Sequence, residues 1–221
     1  VDAVHSRFQR PGRLLDVGCA TGVFLDGMRA KGWKACGVET SPWASQYARE
    51  RLQLDVLTGE VADASFPGGH FHLVTLWDVL EHVHDPRATL LETARILRPG
   101  GLLVMTLPNL DSWEASLFGP NWVGWDVPRH LHLFPKATLN RLLSETGFQM
   151  QQVRFFTGRY YVFVLSADCW LKDRLVCAPV RRIITRVLYS WPMRLMAIPL
   201  YVILDGMGKS SIMTVYARRL G

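Results

Sequence analysis

The sequence predicts an α/β fold, a mostly parallel sheet of seven strands with helices on both faces. Two observations carry this. Short apolar runs alternate with helix-period segments over the first 107 residues, the pattern of crossover-connected parallel strands. Those apolar runs are also nearly continuous rather than alternating, as strands covered on both faces are.

The elements follow in order. Arg13 to Val17 is a buried strand ending at Gly18, and Gly22 to Lys31 is a helix closed by Gly32. Lys34 to Val38 is the second strand. Ser41-Pro42 starts a helix that runs to Leu52, with Ser41 as N-cap and proline in the first turn. A weaker strand lies near Leu54–Leu57, and His72 to Trp77 is the fourth. Asp85-Pro86 repeats the cap-plus-proline signal, and Leu90, Leu91, Ala94 and Leu97 share a face up to Pro99-Gly100-Gly101. Leu102 to Leu107 is the fifth strand, Thr138 to Thr146 a helix stopped by Gly147, Met150 to Phe156 the sixth strand and Ser211 to Ala217 the last. No internal repeat is present.

The chain of 221 residues is 49% hydrophobic and 20% charged, which excludes disorder and coiled coil and fits one domain with an appendage. Cys19, Cys36, Cys169 and Cys177 form neither a CxxC pair nor a zinc spacing. A disulfide framework and a structural metal are therefore not expected, and a cytoplasmic setting fits. No uncharged stretch spans a bilayer and no signal peptide is visible. The net charge of +6 is uneven: residues 151–221 hold 11 Lys+Arg against Asp168, Asp173 and Asp205, a net +8, and the rest of the chain is at −2. A basic C-terminal third faces an anionic partner or is a solvated face.

Ligands of parallel sheets sit beyond the carboxyl ends of the strands. After the first strand comes Asp16-Val17-Gly18-Cys19-Ala20-Thr21-Gly22. Its spacing is not GxGxxG, and Asp16 at the mouth of the turn would repel a pyrophosphate but suit an ammonium or sulfonium group. Glu39, 21 residues past Gly18, is placed to accept from ribose hydroxyls. A cationic adenosine ligand without phosphates meets both constraints, and S-adenosylmethionine is such a molecule.

Five segments in register over residues 13–107 resemble class I S-adenosylmethionine-dependent methyltransferases: Leu14 to Gly22, Glu39, Gly59-Glu60-Val61-Ala62-Asp63, Trp77-Asp78-Val79-Leu80-Glu81-His82 and Leu97-Arg98-Pro99-Gly100-Gly101. Ala20 departs from the pattern, since many members carry glycine there. The resemblance implies a Rossmann-like sheet of order 3-2-1-4-5-7-6 with the last strand antiparallel. It implies that Gly18 and Gly22 let the backbone approach the cofactor, with Cys19 and Ala20 in the same turn. Asp16 would lie near the cofactor's amino group, and Glu39 would hold the ribose with Thr40 beside it. Glu60 would meet the adenine amine with Val61 on the ring, and Trp77 and Asp78 would line the methionine end. Trp77 also reads as a core aromatic, and Asp78 as the cap of a following helix. Glu81-His82 is read as a helix start with a structural histidine. Such enzymes carry an N-terminal helical segment over the cofactor, so the dozen residues before the first strand imply a fragment or an open site.

Residues 108–136 read as a substrate-side lid loop, punctuated by Gly and Pro and dense in Trp and His. Asp126-Val127-Pro128-Arg129-His130-Leu131-His132-Leu133-Phe134 resembles a stretch that closes over the acceptor in small-molecule and sugar O-methyltransferases. His130 is expected as base or acceptor-orienting residue, with Asp126 and Arg129 in support. The alternative is a histidine that holds the loop by hydrogen bonds. Residues 157–210 read as an apolar, basic helical insertion, either a membrane-surface contact or a helical cover or homodimer face. The expected reaction is methyl transfer from S-adenosylmethionine to a hydroxyl of a small molecule or glycan. The alternatives are a lipid-like, quinone-precursor-type acceptor at the membrane and a non-catalytic binding module. Nucleic acid is not expected as a partner, because the Asn-Pro tetrapeptide of base methyltransferases is absent after the fourth strand.

Overall fold

A computed structural model describes residues 1–155, 160–174 and 177–221. The short helix α1 (Asp2–His5) precedes β1 (Arg13–Val17), α2 (Val23–Ala30), β2 (Lys34–Glu39), α3 (Pro42–Leu52), β3 (Asp55–Thr58), β4 (Phe71–Trp77), α4 (Pro86–Ile96) and β5 (Leu97–Pro108). Then come α5 (Trp113–Phe118), two 3-10 turns at Gly119–Asn121 and Val123–Trp125, α6 (Lys136–Glu145) and β6 (Phe148–Phe155). The chain closes with α7 (Tyr160–Asp173), α8 (Ala178–Tyr189), α9 (Trp191–Gly206) and β7 (Ile212–Arg219). The ends expected at Phe156 and Thr157 lie outside the described residues.

The seven strands form one sheet in the order β3-β2-β1-β4-β5-β7-β6, with the first five parallel and the last strand antiparallel. Leu14 and Leu15 of β1, Leu73 and Val74 of β4 and Leu103 and Val104 of β5 are fully buried. This burial on both faces is why the central strands are continuous apolar runs. Local chemistry fixes the helix starts. Ser41 Oγ accepts from the Ala44 N–H at 3.3 Å and Asp85 Oδ1 from the Ala88 N–H at 2.9 Å, each with proline in the first turn. No helix starts at Glu81-His82: residues 79–82 form a turn in which the His82 N–H donates to the Val79 carbonyl, and α4 waits for the Asp85 cap.

Two compact units are present. The first (residues 1–106, 140–152 and 215–221) has its core around Leu14, Leu25, Met28, Trp33, Leu73 and Tyr216. The second (residues 107–139 and 153–214) is built on Phe118, Trp122, Val162 and Ala167, with Phe163 and Leu188 packed against them. In that unit Glu114 is fully buried and accepts from the Tyr201 hydroxyl at 3.0 Å. Helix α9 continues through Pro199.

Gly37 of β2 shows how tightly α2 is seated. A Cβ there would stand 2.5 Å from Cys19 Sγ and 2.8 Å from Leu25 Cδ1. Gly37→Ala is expected to destabilise the protein by about 1–3 kcal/mol through overpacking, read as a lower urea midpoint with unchanged slope.

Candidate active site

The carboxyl edge of the parallel strands opens onto two adjoining cavities of the first unit. One, of about 590 Å³, is lined by Gly18, Ala20, Glu39, Thr40, Glu60, Val61, Trp77 and Asp78, together with Gly59, Val79, His82 and His84. The other, of about 560 Å³, is lined by Asp16, Gly18, Cys19, Ala20, Phe24 and Trp77. Every cofactor residue expected from the sequence except Gly22 lines one or both. Gly22 sits at the start of α2 with φ +82°, and a Cβ on it would meet Leu54 at 2.5 Å and Ala48 at 3.2 Å, so its open side faces the core. The Gly18 position (φ +70°) is closed to a side chain by Val79, 2.5 Å from where its Cβ would lie.

Glu39 ends β2 and grips the turns on either side. Its Oε2 accepts from the Ala20 N–H and its Oε1 from the Ser41 N–H, both at 2.8 Å. Ala20 has φ +47°, a left-handed conformation that costs a non-glycine residue about 1–2 kcal/mol. Asp78 has φ +54° and is anchored to β5: its Oδ1 accepts from the Thr106 hydroxyl at 2.8 Å, and its N–H donates to the Thr106 carbonyl. It caps no helix. Trp77 packs edge-on against Phe24, ring centroids 5.1 Å apart, and also lines both cavities, so its core and site readings are one position. Its indole N–H is buried without a hydrogen-bond partner.

Residues 108–136 belong to the second unit, and their second half is organised around Gly124. The Trp122 ring lies so close that a Cβ on Gly124 would stand 2.2 Å from it. The Gly124 carbonyl meets His130 Nδ1 at 2.7 Å. A carbonyl only accepts, so Nδ1 is the donor in this contact. Asp126 Oδ2 lies 3.8 Å from His130 Nε2, and Arg129 donates to Asp126 Oδ1 at 2.8 Å. The three residues expected to work together thus form one cluster. His132 stacks on Phe134.

A sequence profile described as "Methyltransferase domain" matches residues 2–153. The chain belongs to the class I S-adenosylmethionine-dependent methyltransferases. It is 29% identical over 174 residues to the "Ubiquinone biosynthesis O-methyltransferase" of Thiobacillus denitrificans, covering 71% of this chain and 73% of that protein. It is 31% identical over 166 residues to the protein of the same name from Xanthomonas oryzae pv. oryzae, covering 69% and 70%. A solved S-adenosylmethionine-dependent methyltransferase from Archaeoglobus fulgidus aligns at a TM-score of 0.62 with 18% identity, over 99% of this chain and 94% of that one, a likeness of fold.

The methyltransferase's cleft suits its cofactor electrostatically. Asp16, Glu39, Glu60 and Asp78 line it together with His82 and His84, and no lysine or arginine does, among the described residues, an excess of acid that suits an ammonium and a sulfonium. The cavity size is that of a small-molecule site. Asp16 is 1% exposed, with Oδ1 accepting from the Thr75 hydroxyl at 2.5 Å. Burial outweighs that bond and, with Glu39 nearby, pushes its carboxyl up to about 7. The methyltransferase also holds a carboxyl that the sequence reading passed over. Glu81, 1% exposed, is pushed up to about 8 by burial, with Asp78 adding repulsion, and its Oε2 has no hydrogen-bond partner. Its signal was a carboxylate four residues past the end of β4, within a segment already singled out. Burial holds the Cys19 thiol at about 12.

Both raised carboxyls bind protons more tightly in the folded protein than in the unfolded chain. Their contribution is complete below about pH 4 and is lost as pH rises, through about 7 for Asp16 and about 8 for Glu81. Unfolding free energy is therefore expected to fall between pH 5 and pH 8.5, by up to about 1.4 kcal/mol per pH unit for each group. Urea titrations should show Asp16→Asn roughly halving the slope between about pH 5 and 7, and Glu81→Gln halving it there and removing what remains between about pH 7 and 8. A flat wild-type profile would contradict this.

Proposed function

We propose that this methyltransferase methylates a hydroxyl group of an amphiphilic acceptor of the quinone-precursor type. The observation that carries the reading is the repeated name of its relatives, ubiquinone biosynthesis O-methyltransferase, at 28–32% identity across several bacteria. It moves the weight from a water-soluble or glycan acceptor to the lipid-like alternative. An acceptor of that kind partitions into bilayers, and the arginine-bearing apolar helices α8 and α9 suit this chain to meet it there.

S-adenosylmethionine, when bound, supplies an electrophilic methyl group on sulfur. In this reading Glu39 and Thr40 hold the ribose, and Glu60 and Val61 receive the adenine. Asp16 answers the amino group, and Trp77 and Asp78 line the methionine end. Residues 108–136 and 157–210 serve as the lid and the acceptor-side insertion of one methyltransferase domain. In the same reading the task of the lid is to take the hydroxyl proton. His130 Nε2 is the atom suited to it, because the Gly124 carbonyl holds the ring in the tautomer that leaves Nε2 basic. Asp126, 3.8 Å away, stabilises the imidazolium that results, and Arg129 keeps that carboxylate in place.

Methyl-labelled S-adenosylmethionine incubated with the protein and a bacterial extract is expected to label the lipid-extractable fraction. Label confined to the water-soluble or glycan fraction would overturn the acceptor class. His130→Ala is expected to lower kcat by about 10²–10⁴-fold with cofactor affinity unchanged by calorimetry. Unaltered turnover would remove the base assignment.

A further inference from the structure

Helix α8 is amphipathic, yet its apolar stripe is turned to solvent. Val180, Ile183 and Val187 recur at helical spacing and are 46%, 64% and 53% exposed, and the helix buries none of its residues. A surface helix in water shows the reverse arrangement. Helix α9 repeats the pattern. Trp191, Leu195, Ile198 and Val202, at i, i+4, i+7 and i+11, are all exposed, and an open apolar cleft of about 600 Å³ beside Ile198 and Val202 continues the surface. Contiguous exposed apolar area on this scale marks a binding face.

The charge beside it is of one sign. From Ala178 to Gly206 there are Arg181, Arg182, Arg186 and Arg194 against Asp205 alone. Arg181 is engaged by Asp168 at 3.3 Å and Asp205 by the Ser210 hydroxyl. Arg182 and Arg186, one turn apart, are exposed on the flank of the α8 stripe, and Arg194 lies over the Tyr189 ring.

We propose that α8 and α9 form a docking surface for an anionic lipid bilayer, lying in its headgroup plane with their apolar stripes in the acyl boundary. Three observations choose this occupant. A second copy pairing through the same face would set arginines against arginines with almost no acid to answer them. Lying on the bilayer fits better than crossing it: no single described helix is long and apolar enough, the α8–α9 pair that would be long enough is bent by 64°, and α8 would carry three arginines into hydrocarbon. Tyr189 and Trp191 flank the bend, where amphipathic rings sit at the level of the headgroups. The inference stands apart from the identity of the acceptor.

Flotation of the full chain with vesicles of phosphatidylcholine, with and without phosphatidylglycerol, tests it. The expected result is binding to the anionic vesicles at least about tenfold stronger than to the neutral ones, weakened by salt. Arg182→Glu/Arg186→Glu is expected to abolish that preference, and Trp191→Ser/Met196→Ser, at two α9 side chains 72% and 74% exposed, to lower binding to both vesicle types. Because these side chains are exposed, circular dichroism and cofactor affinity should stay at wild-type values in both variants. Equal binding to neutral and anionic vesicles, or binding to neither, would overturn the proposal. So would a dimer in sedimentation velocity that Trp191→Ser/Met196→Ser dissolves while vesicles bind nothing, which would assign the face to a second copy of the chain.

Discussion

The carboxyl end of β2 is the point on which the cofactor cleft depends. Val38 and Glu39 gather the turns that follow three different strands. The Gly18 and Cys19 N–H groups donate to the Val38 carbonyl, the Gly59 N–H to the Glu39 carbonyl, and the Ala20 and Ser41 N–H groups to the two oxygens of the Glu39 side chain. Hydrogen bonds to an ionised carboxylate are stronger than neutral ones, and the left-handed backbone at Ala20 needs one. Glu39 therefore serves the cleft first as a structural member. Its carboxylate oxygens retain acceptor capacity beyond these two bonds, so the same group can hold the turns together and still receive ribose hydroxyls.

Around that anchor the cleft is acidic throughout, and its acids differ in kind. Asp16 is buried and held toward the neutral form, as is Glu81 outside the lining. Glu39 is kept in place by backbone donors and Asp78 by Thr106. Strain sits here too: Ala20 and Asp78 line the cleft and are non-glycine residues with positive φ, as is Asp126 in the second unit. Such conformations persist where surrounding bonds over-determine them, as the Glu39, Thr106 and Arg129 contacts do.

What could be read from the sequence was what local chemistry decides. The helix starts at Ser41 and Asp85 were legible because side-chain capping acts over three residues, and the central strands because burial on both faces leaves an uninterrupted apolar run. The site positions were legible because a parallel sheet places strand ends at one edge. The failures came from contacts distant in sequence. Asp78 reads as a helix cap until Thr106, 28 residues on, takes its carboxylate. Glu81 reads as part of a helix until its burial is seen. Nothing in the composition of α8 says that its apolar stripe faces outward, and the tautomer of His130 depends on a carbonyl that the Trp122 ring hems in.

Cys19 gives the cleft one more property. Its sulfur lies beside a cavity built for an electrophilic methyl donor, and a thiolate there would be the strongest nucleophile in reach. Desolvation and the neighbouring Asp16 and Glu39 keep the thiol protonated at neutral pH, and its Sγ is turned into the space left by Gly37. Burial first, and the acids of the cleft after it, thus hold the thiol in its unreactive form, so that a methyl donor in the cleft would keep its methyl group for an acceptor brought from outside.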